Sequence, residues 1–275
     1  EMGIPRIKEF NTGDNFGCAY FQMNQRKGVR WSASKAFLRP IQHRPNLTVM
    51  TNTHVQKLAL QANEHGPRAT GVWITKGGDA PSLVTATREV ILAAGAVASP
   101  QILQLSGIGE AGLMQQLGAA PVIDLPGVGH NLQDHLQIRT IYKVSNTTTL
   151  NPRVNSLVGK AMMGLEYLLF KTGPLTMPPS QLGAFAKSDE AQPTPNMEWH
   201  VQPLSLDQFG SPLHSFNAIT PSVCNLRPAS RGAITALSLD PLMAPKINLN
   251  YLSNPEDEAV ALAGLRMTRR IMKAK

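Results

Sequence analysis

Aromatic residues are scarce in this chain, 5% of 275, and charged residues make up only 16%. So few aromatic faces argue against a surface on which nucleic-acid bases stack. The low charge density, set beside 42% hydrophobic residues, excludes wholesale disorder. No apolar run approaches the roughly 20 residues that span a bilayer, so no transmembrane segment is expected. The opening "EMGIPRIKEF" has no apolar core of the kind a secretory signal carries, and it starts in mid-pattern, as a piece of a longer protein would. Cys18 and Cys224 are the only cysteines, far apart and without His or Cys at ligand spacing. They give neither a disulfide framework nor a metal motif. Two buried free thiols in a reducing, cytoplasmic compartment are expected, with peripheral membrane contact left open.

What is abundant is positive charge relative to negative: 26 Lys and Arg against 18 Asp and Glu, a net charge of +8. The excess is scattered. Its densest stretch, "RMTRRIMKAK", reads as a helix end whose cations suit the macrodipole, so no nucleic-acid partner is inferred.

The patterning predicts a βα unit followed by a meandering sheet with helices on it. Ser32 is placed to cap a short helix that stops at Pro40. "NLTVMTNTHVQKLAL" and "ATGVWITKGG" read as a β-ribbon. "REVILAAG" is a short continuous apolar run, the mark of a parallel strand covered on both faces, and Ser99-Pro100 then opens a helix with Pro100 at its first position. Leu157 to Thr172 repeats apolar residues at helical spacing and stops at Gly173-Pro174. From Gly183 to Leu252, short strands alternate with turns, as in an antiparallel sheet, and Asn254-Pro255-Glu256 starts the last helix. The fold class expected is α/β plus α+β. An incomplete dinucleotide-binding (Rossmann-like) layer over residues 1–136 joins an antiparallel-sheet substrate domain with packed helices over residues 137–275.

Two glycine stretches could hold a nucleotide. "GIGEAG", Gly107 to Gly112, has a G-x-G-x-x-G spacing but follows a helix rather than a strand, so a helix C-cap and turn explains it better than a phosphate loop. Gly95 differs: it ends an apolar strand just before a helix, and Ala94-Gly95-Ala96 leaves backbone free to approach a cofactor. A tight strand-to-helix turn would account for the same glycine.

"GAVASPQILQLSGIG" resembles the second sequence signature of the glucose–methanol–choline (GMC) flavoprotein oxidoreductases at every position. "QRKGVRWSASKAFL", "LPGVGHNLQDH", "GPLTMPPSQLGAF" and "RPASRGAITALSLDPLMAPKINLNYL" are similar to the same family, in its order. The resemblance implies an enzyme that uses FAD to oxidise a small-molecule alcohol to an aldehyde or ketone, passing electrons to an acceptor such as a quinone, a dye or oxygen. It implies a backbone contact to adenine at Val55, a strand end by the cofactor at Ala94 and Gly95, and a flavin-proximal loop carrying Asn131, Asp134 and His135. For Asn131 and Asp134, loop capping is the competing explanation. On the substrate wall it implies Gln181, at a position where choline-oxidising members carry a Glu, and His200, which either lines the site or is bonded across its strand. Quaternary ammonium alcohols are therefore expected to be poor substrates and neutral primary alcohols better ones. No motif here matches the family's N-terminal glycine fingerprint or its catalytic His segment, so no principal base is named and the chain alone is expected to be inactive. Other readings are a nicotinamide-dependent dehydrogenase built on "GIGEAG" and a non-catalytic, degenerate flavoprotein module.

Overall fold

A computed structural model describes residues 2–274. The chain forms two compact units, each assembled from separated segments: Glu1–Leu47 with His135–Pro228 and Pro255–Lys275, and Thr48–Asp134 with Ala229–Asn254.

The first unit is a six-stranded antiparallel sheet backed by a helix. Its strands run in the order Gly17–Tyr20, Leu182–Ala186, Met197–Gln202, Ala218–Asn225 and Tyr142–Lys143, and Gln137–Arg139 also pairs with Ala218–Asn225. Alternation explains which face is buried. "MEWHVQ" puts Met197, Trp199 and Val201 on one face, and the helix Pro255–Lys273 covers it. The core there is Ala186, Met197, Trp199, Val223 and Val260. Trp199 would bury its indole N–H unpaired, but Nε1 donates to Thr268 Oγ1 at 2.8 Å.

The second unit carries the β-ribbon, Thr53–Asn63 paired with Gly66–Lys76, with Ser82–Thr85 on the outer edge. The helix Gly95–Leu105 leads through Gly107 (φ 79) into Ile108–Gly109, which pairs in parallel with Ile123–Asp124 across the short helix Ala111–Gln116. Gly107 thus serves as the turn after a helix, as the "GIGEAG" reading requires.

Several expectations are corrected. Val90–Ala94 is no buried parallel strand: it joins no ladder among the described residues, and Ile91 is 80% exposed. A parallel strand exists only through the hydrogen bonds of its neighbours, and no described strand lies beside this run. The following helix starts at Gly95, leaving Pro100 inside it rather than at its first position. Ser32 does cap, its Oγ accepting from Lys35 N–H at 3.4 Å, but the turn it opens is a five-residue π-helix, Ser34–Leu38. The single meander expected from Gly183 to Leu252 is divided, its last two strands, Ala233–Thr235 and Lys246–Asn248, forming a hairpin in the second unit. Cys224 is buried, whereas Cys18 is only partly so. The helix Leu157–Phe170 forms over its predicted span but buries only Met163 and turns Leu157, Val158, Leu168 and Phe170 outward.

Candidate functional site

The second face of the first unit's sheet is polar, although most of it is buried. Register sets Glu198 opposite Cys224 and Phe185, and Cys224 opposite Gln137; His200 lies opposite Ser222 and Gly183, and Ser222 opposite Arg139. Cross-strand partners share a face, so Glu198, His200, Gln202, Ser222, Cys224 and Arg139 all project away from the helix-backed core. Gln181 continues this ladder: its N–H donates to Val201 O, and its carbonyl accepts from Phe21 N–H. It falls on the same face as Gly183 and His200. Gly183 is a glycine for a spatial reason, since a Cβ there would lie 2.2 Å from the Phe21 ring. That ring packs at 5.0 Å from His200.

His200 Nε2 lies 2.9 Å from Glu198 Oε1, with Glu198 the more buried partner. The carboxylate fixes the imidazole tautomer, with Nε2–H donating and Nδ1 left as an acceptor. Ligand atoms of His135, Glu198 and Cys224 lie within 4.8 Å of one another. Burial, and then the Glu198 charge, push the Cys224 thiol up to about 12. His135 Nε2 already sits 3.1 Å from Leu226 O.

Four buried side-chain atoms lack a hydrogen-bond partner among the described residues: Arg139 Nε and Nη2, Gln202 Oε1 and Ser222 Oγ. All four belong to this face. Phe209 packs its ring 4.7 Å from the Arg139 guanidinium.

The remaining expected positions lie in the second unit. Val55 pairs with Ile74 beside a β-bulge at Gln56, where the ladder is locally interrupted. Gly95 has φ 86, and a Cβ built on it meets nothing within 4 Å. The turn therefore requires glycine for its backbone angle, and Ala94 and Gly95 present bare, exposed backbone. Asn131 takes the left-handed conformation (φ 61), a loop role. Asp134 accepts a hydrogen bond from Tyr251 Oη, which is held well above its ordinary range, up to about 12, by burial and by this carboxylate.

Of the expected residues, the structure brings Gln181, His200 and His135 to one sheet face and sets Val55, Ala94, Gly95, Asn131 and Asp134 in the other unit. His135, expected on the cofactor-side loop, lies close to Glu198 and Cys224. Glu198, Arg139 and Ser222 went unnoticed in the sequence, although the apolar/polar alternation of "MEWHVQ" in an interior strand marks Glu198 and Gln202. Gln104 was also missed. It is 1% exposed. Its amide donates to Ile234 O and Val128 O and accepts from Ala236 N, tying the helix Gly95–Leu105 to the loop at Val128 and to Ala233–Thr235.

A second constellation looks catalytic but is structural. His214 contacts Ser205 Oγ at 2.9 Å and Asp207 at 3.1 Å, the parts of an acyl-transfer triad. Ser205 is fully buried, and Asn151 also donates to its Oγ, so no substrate reaches it.

Comparison with known proteins gives one consistent family. Two sequence models of GMC oxidoreductases match, the N-terminal one over residues 1–137 and the C-terminal one over residues 228–275. The alcohol dehydrogenase [acceptor] of Pseudomonas putida is 37% identical over 97% of this chain and 48% of its own length. The oxygen-dependent choline dehydrogenase of Photobacterium profundum is 35% identical over 99% of this chain and 47% of its own. The chain thus spans about half the length of the curated relatives it matches. Among solved structures, formate oxidase superposes with a TM-score of 0.86 at 24% identity, over 97% of this chain and 50% of that one. Pyridoxine 4-oxidase from Mesorbium loti gives 0.82 at 24% identity, over 100% and 49%. At such identities the likeness is one of fold.

Proposed function

The chain belongs to the GMC oxidoreductase family, and on that footing we propose that it supplies the substrate wall and part of the cofactor layer of an FAD-dependent enzyme that oxidises an alcohol to an aldehyde or ketone. The observation that carries the reading is the Glu198–His200 pair, 2.9 Å apart on a buried polar sheet face that also bears Gln181. The second unit fits a dinucleotide in one respect: Ala94-Gly95 is exposed backbone with open space where a Cβ would stand. We assign Val55, Ala94 and Gly95 to the cofactor side, with Asn131 and Asp134 shaping the loop behind them. FAD, when bound, accepts the hydride equivalent from the alcohol carbon.

In this reading His200 orients the alcohol. With Nε2–H held by Glu198, Nδ1 accepts the hydroxyl hydrogen and fixes the position of the carbinol C–H. Phe21, packed at a tilt against the imidazole and seated over Gly183, restrains the ring and keeps water from that side. Gln181 offers a dipole and no charge, so it gives a cationic substrate no counter-ion. The free thiols Cys18 and Cys224 accord with a reducing, cytoplasmic setting. Among the described residues no helix is long and apolar enough to cross a membrane.

The test uses a polypeptide of the relatives' full length that contains this chain. It should purify with a visible flavin band and reduce a dye when given primary alcohols. His200→Ala should raise KM and lower kcat, and His200→Gln, which keeps a polar group, should recover part of the loss. A protein that binds no flavin, or one that reduces NAD⁺ in place of the dye, overturns the proposal.

A further inference from the structure

The four orphaned polar atoms do not scatter as packing faults would; all lie on the polar face of the first unit's sheet. Arg139 is the most demanding of them. Two of its guanidinium nitrogens are out of contact with water and have no acceptor among the described residues. A guanidinium with two of its three nitrogens desolvated and unpaired is unfavourable. The Phe209 ring over it, 4.7 Å away, offers a π face but takes none of its N–H bonds in the plane. The acid on the same sheet face, Glu198, is engaged by His200 at 2.9 Å. No ion pair of the described residues involves Arg139. Directly across the ladder stands Ser222, 1% exposed, its hydroxyl also unpaired. Cross-strand partners on one face have Cβ atoms about 5 Å apart, so one small oxyanion can bridge the hydroxyl and the guanidinium fork.

We propose that Arg139 and Ser222 form a carboxylate-binding subsite, so that the alcohols this protein handles are hydroxy acids. The inference rests on reading the face as the substrate wall. His200, next to Ser222 on the adjoining strand, would then hold the hydroxyl while Arg139 holds the acid. Phe209 is 79% exposed, so the roof over the guanidinium can be displaced without disturbing the core. The subsite also sharpens the case against choline: beyond the missing charge at Gln181, a buried guanidinium on the same wall repels a quaternary ammonium.

The test uses the full-length, flavin-loaded polypeptide and two readouts. The first compares kcat/KM for 4-(hydroxymethyl)benzoate with that for benzyl alcohol. The second titrates benzoate calorimetrically and needs no turnover. A charge-assisted bidentate contact corresponds to about 10- to 100-fold in affinity. The wild type should favour the acid by at least about tenfold, and Arg139→Gln should bring that ratio near one and weaken benzoate by a similar factor. Arg139→Lys should recover part of both, and Ser222→Ala should lower both by about three- to tenfold. Should Arg139→Gln fail to fold, Ser222→Ala decides alone. Equal handling of the two alcohols by the wild type, or benzoate affinity indifferent to both variants, overturns the inference, as does inorganic phosphate binding there more tightly than benzoate. Arg139-dependent benzoate binding in a protein that oxidises no alcohol would leave the subsite standing and overturn the proposed reaction instead.

Discussion

Gln104→Met tests how the second unit is held together, and its size can be worked from three hydrogen bonds. Gln104 is 1% exposed and spends its whole amide on backbone: Oε1 accepts from Ala236 N at 2.8 Å, and Nε2 donates to Ile234 O at 3.0 Å and to Val128 O at 3.3 Å. Methionine keeps the volume and removes all three. The buried Ala236 N–H left without an acceptor costs about 1–3 kcal/mol, and the two carbonyls, each with lone pairs engaged less fully, add about 1 more. The expected loss is therefore about 2–4 kcal/mol, a large share of a typical domain stability of about 5–15 kcal/mol. Gln104→Ala should lose about 1–2 kcal/mol beyond this through the cavity. Gln104→Glu should be the worst, because it sets a carboxylate oxygen against the carbonyls of Ile234 and Val128 in a buried site. Urea unfolding followed by circular dichroism measures the series, and hydrogen exchange at Ala236 N locates it. A Gln104→Met variant within about 0.5 kcal/mol of wild type, with that amide still protected, would refute the assignment of the amide as the tie between helix and hairpin.

Four further expectations follow from single residues. At Gly95→Val the new Cβ meets no atom within 4 Å but the residue must adopt φ 86; it should destabilise the turn by about 1–2 kcal/mol and lower flavin retention in the full-length protein, and unchanged flavin content would remove Gly95 from the cofactor side. Cys18, only partly buried, should be alkylated before the buried Cys224. Because the folded Cys224 thiol ionises near 12 and its unfolded form near 9.0, its contribution is complete below pH 9 and fades as pH rises from about 9 to about 12; a Cys224→Ala protein with an unaltered stability–pH slope in that range would count against this. Gln181→Glu should raise the choline-to-benzyl-alcohol ratio of kcat/KM at least about tenfold, since a carboxylate about 4 Å from a partly desolvated cation gains up to about 4 kcal/mol before desolvation is charged against it. No change in the ratio would place Gln181 off the substrate path.

The sequence made periodic elements legible and left their pairing obscure. The ribbon around "NLTVMTNTHVQKLAL", the helix from Leu157 and the helix from Pro255 are readable because each carries its own repeat or a start or stop signal. Val90–Ala94 was misread because a continuous apolar run reports only that a segment is suited to burial between neighbours, and a strand is made by those neighbours. Pro100 suits a first helical position, yet Gly95 already turns the chain at φ 86 and the helix runs through the proline. Gln181 and His200 could be named because the resemblance covered them. Arg139 and Ser222 could not: they lie 83 residues apart, and only the register Ser222–Arg139 makes them neighbours. Gln104 escaped for a related reason, its partners at Ile234 and Ala236 being 130 and 132 residues away.

The two faces of the same strands bear on whether the polar face is a site or a fault. On the helix-backed face, polar atoms are satisfied even at full burial: Trp199 Nε1 finds Thr268 Oγ1, Thr268 donates to Gly264 O, and Asn225 Nδ2 donates to Asp257 Oδ1. A sheet packed poorly throughout would orphan atoms on both sides. Here the second face satisfies part of its own inventory, Thr220 Oγ1 donating to Leu204 O and Gln202 Nε2 to Ser180 Oγ, and leaves open Gln202 Oε1, Ser222 Oγ and two nitrogens of Arg139. An unpaired buried polar group costs about 1–3 kcal/mol, and more for a charged one, so four such atoms on one face are a sizeable fraction of a domain's stability. Apolar side chains at Gln202, Ser222 and Arg139 would remove the cost without disturbing the ladder, because backbone groups alone make its bonds. Polar groups held out of water at that expense are what a site needs in order to gain from a ligand what the described residues do not supply, which is why this face, and not the larger apolar helix surface of Leu157–Phe170, carries the functional reading.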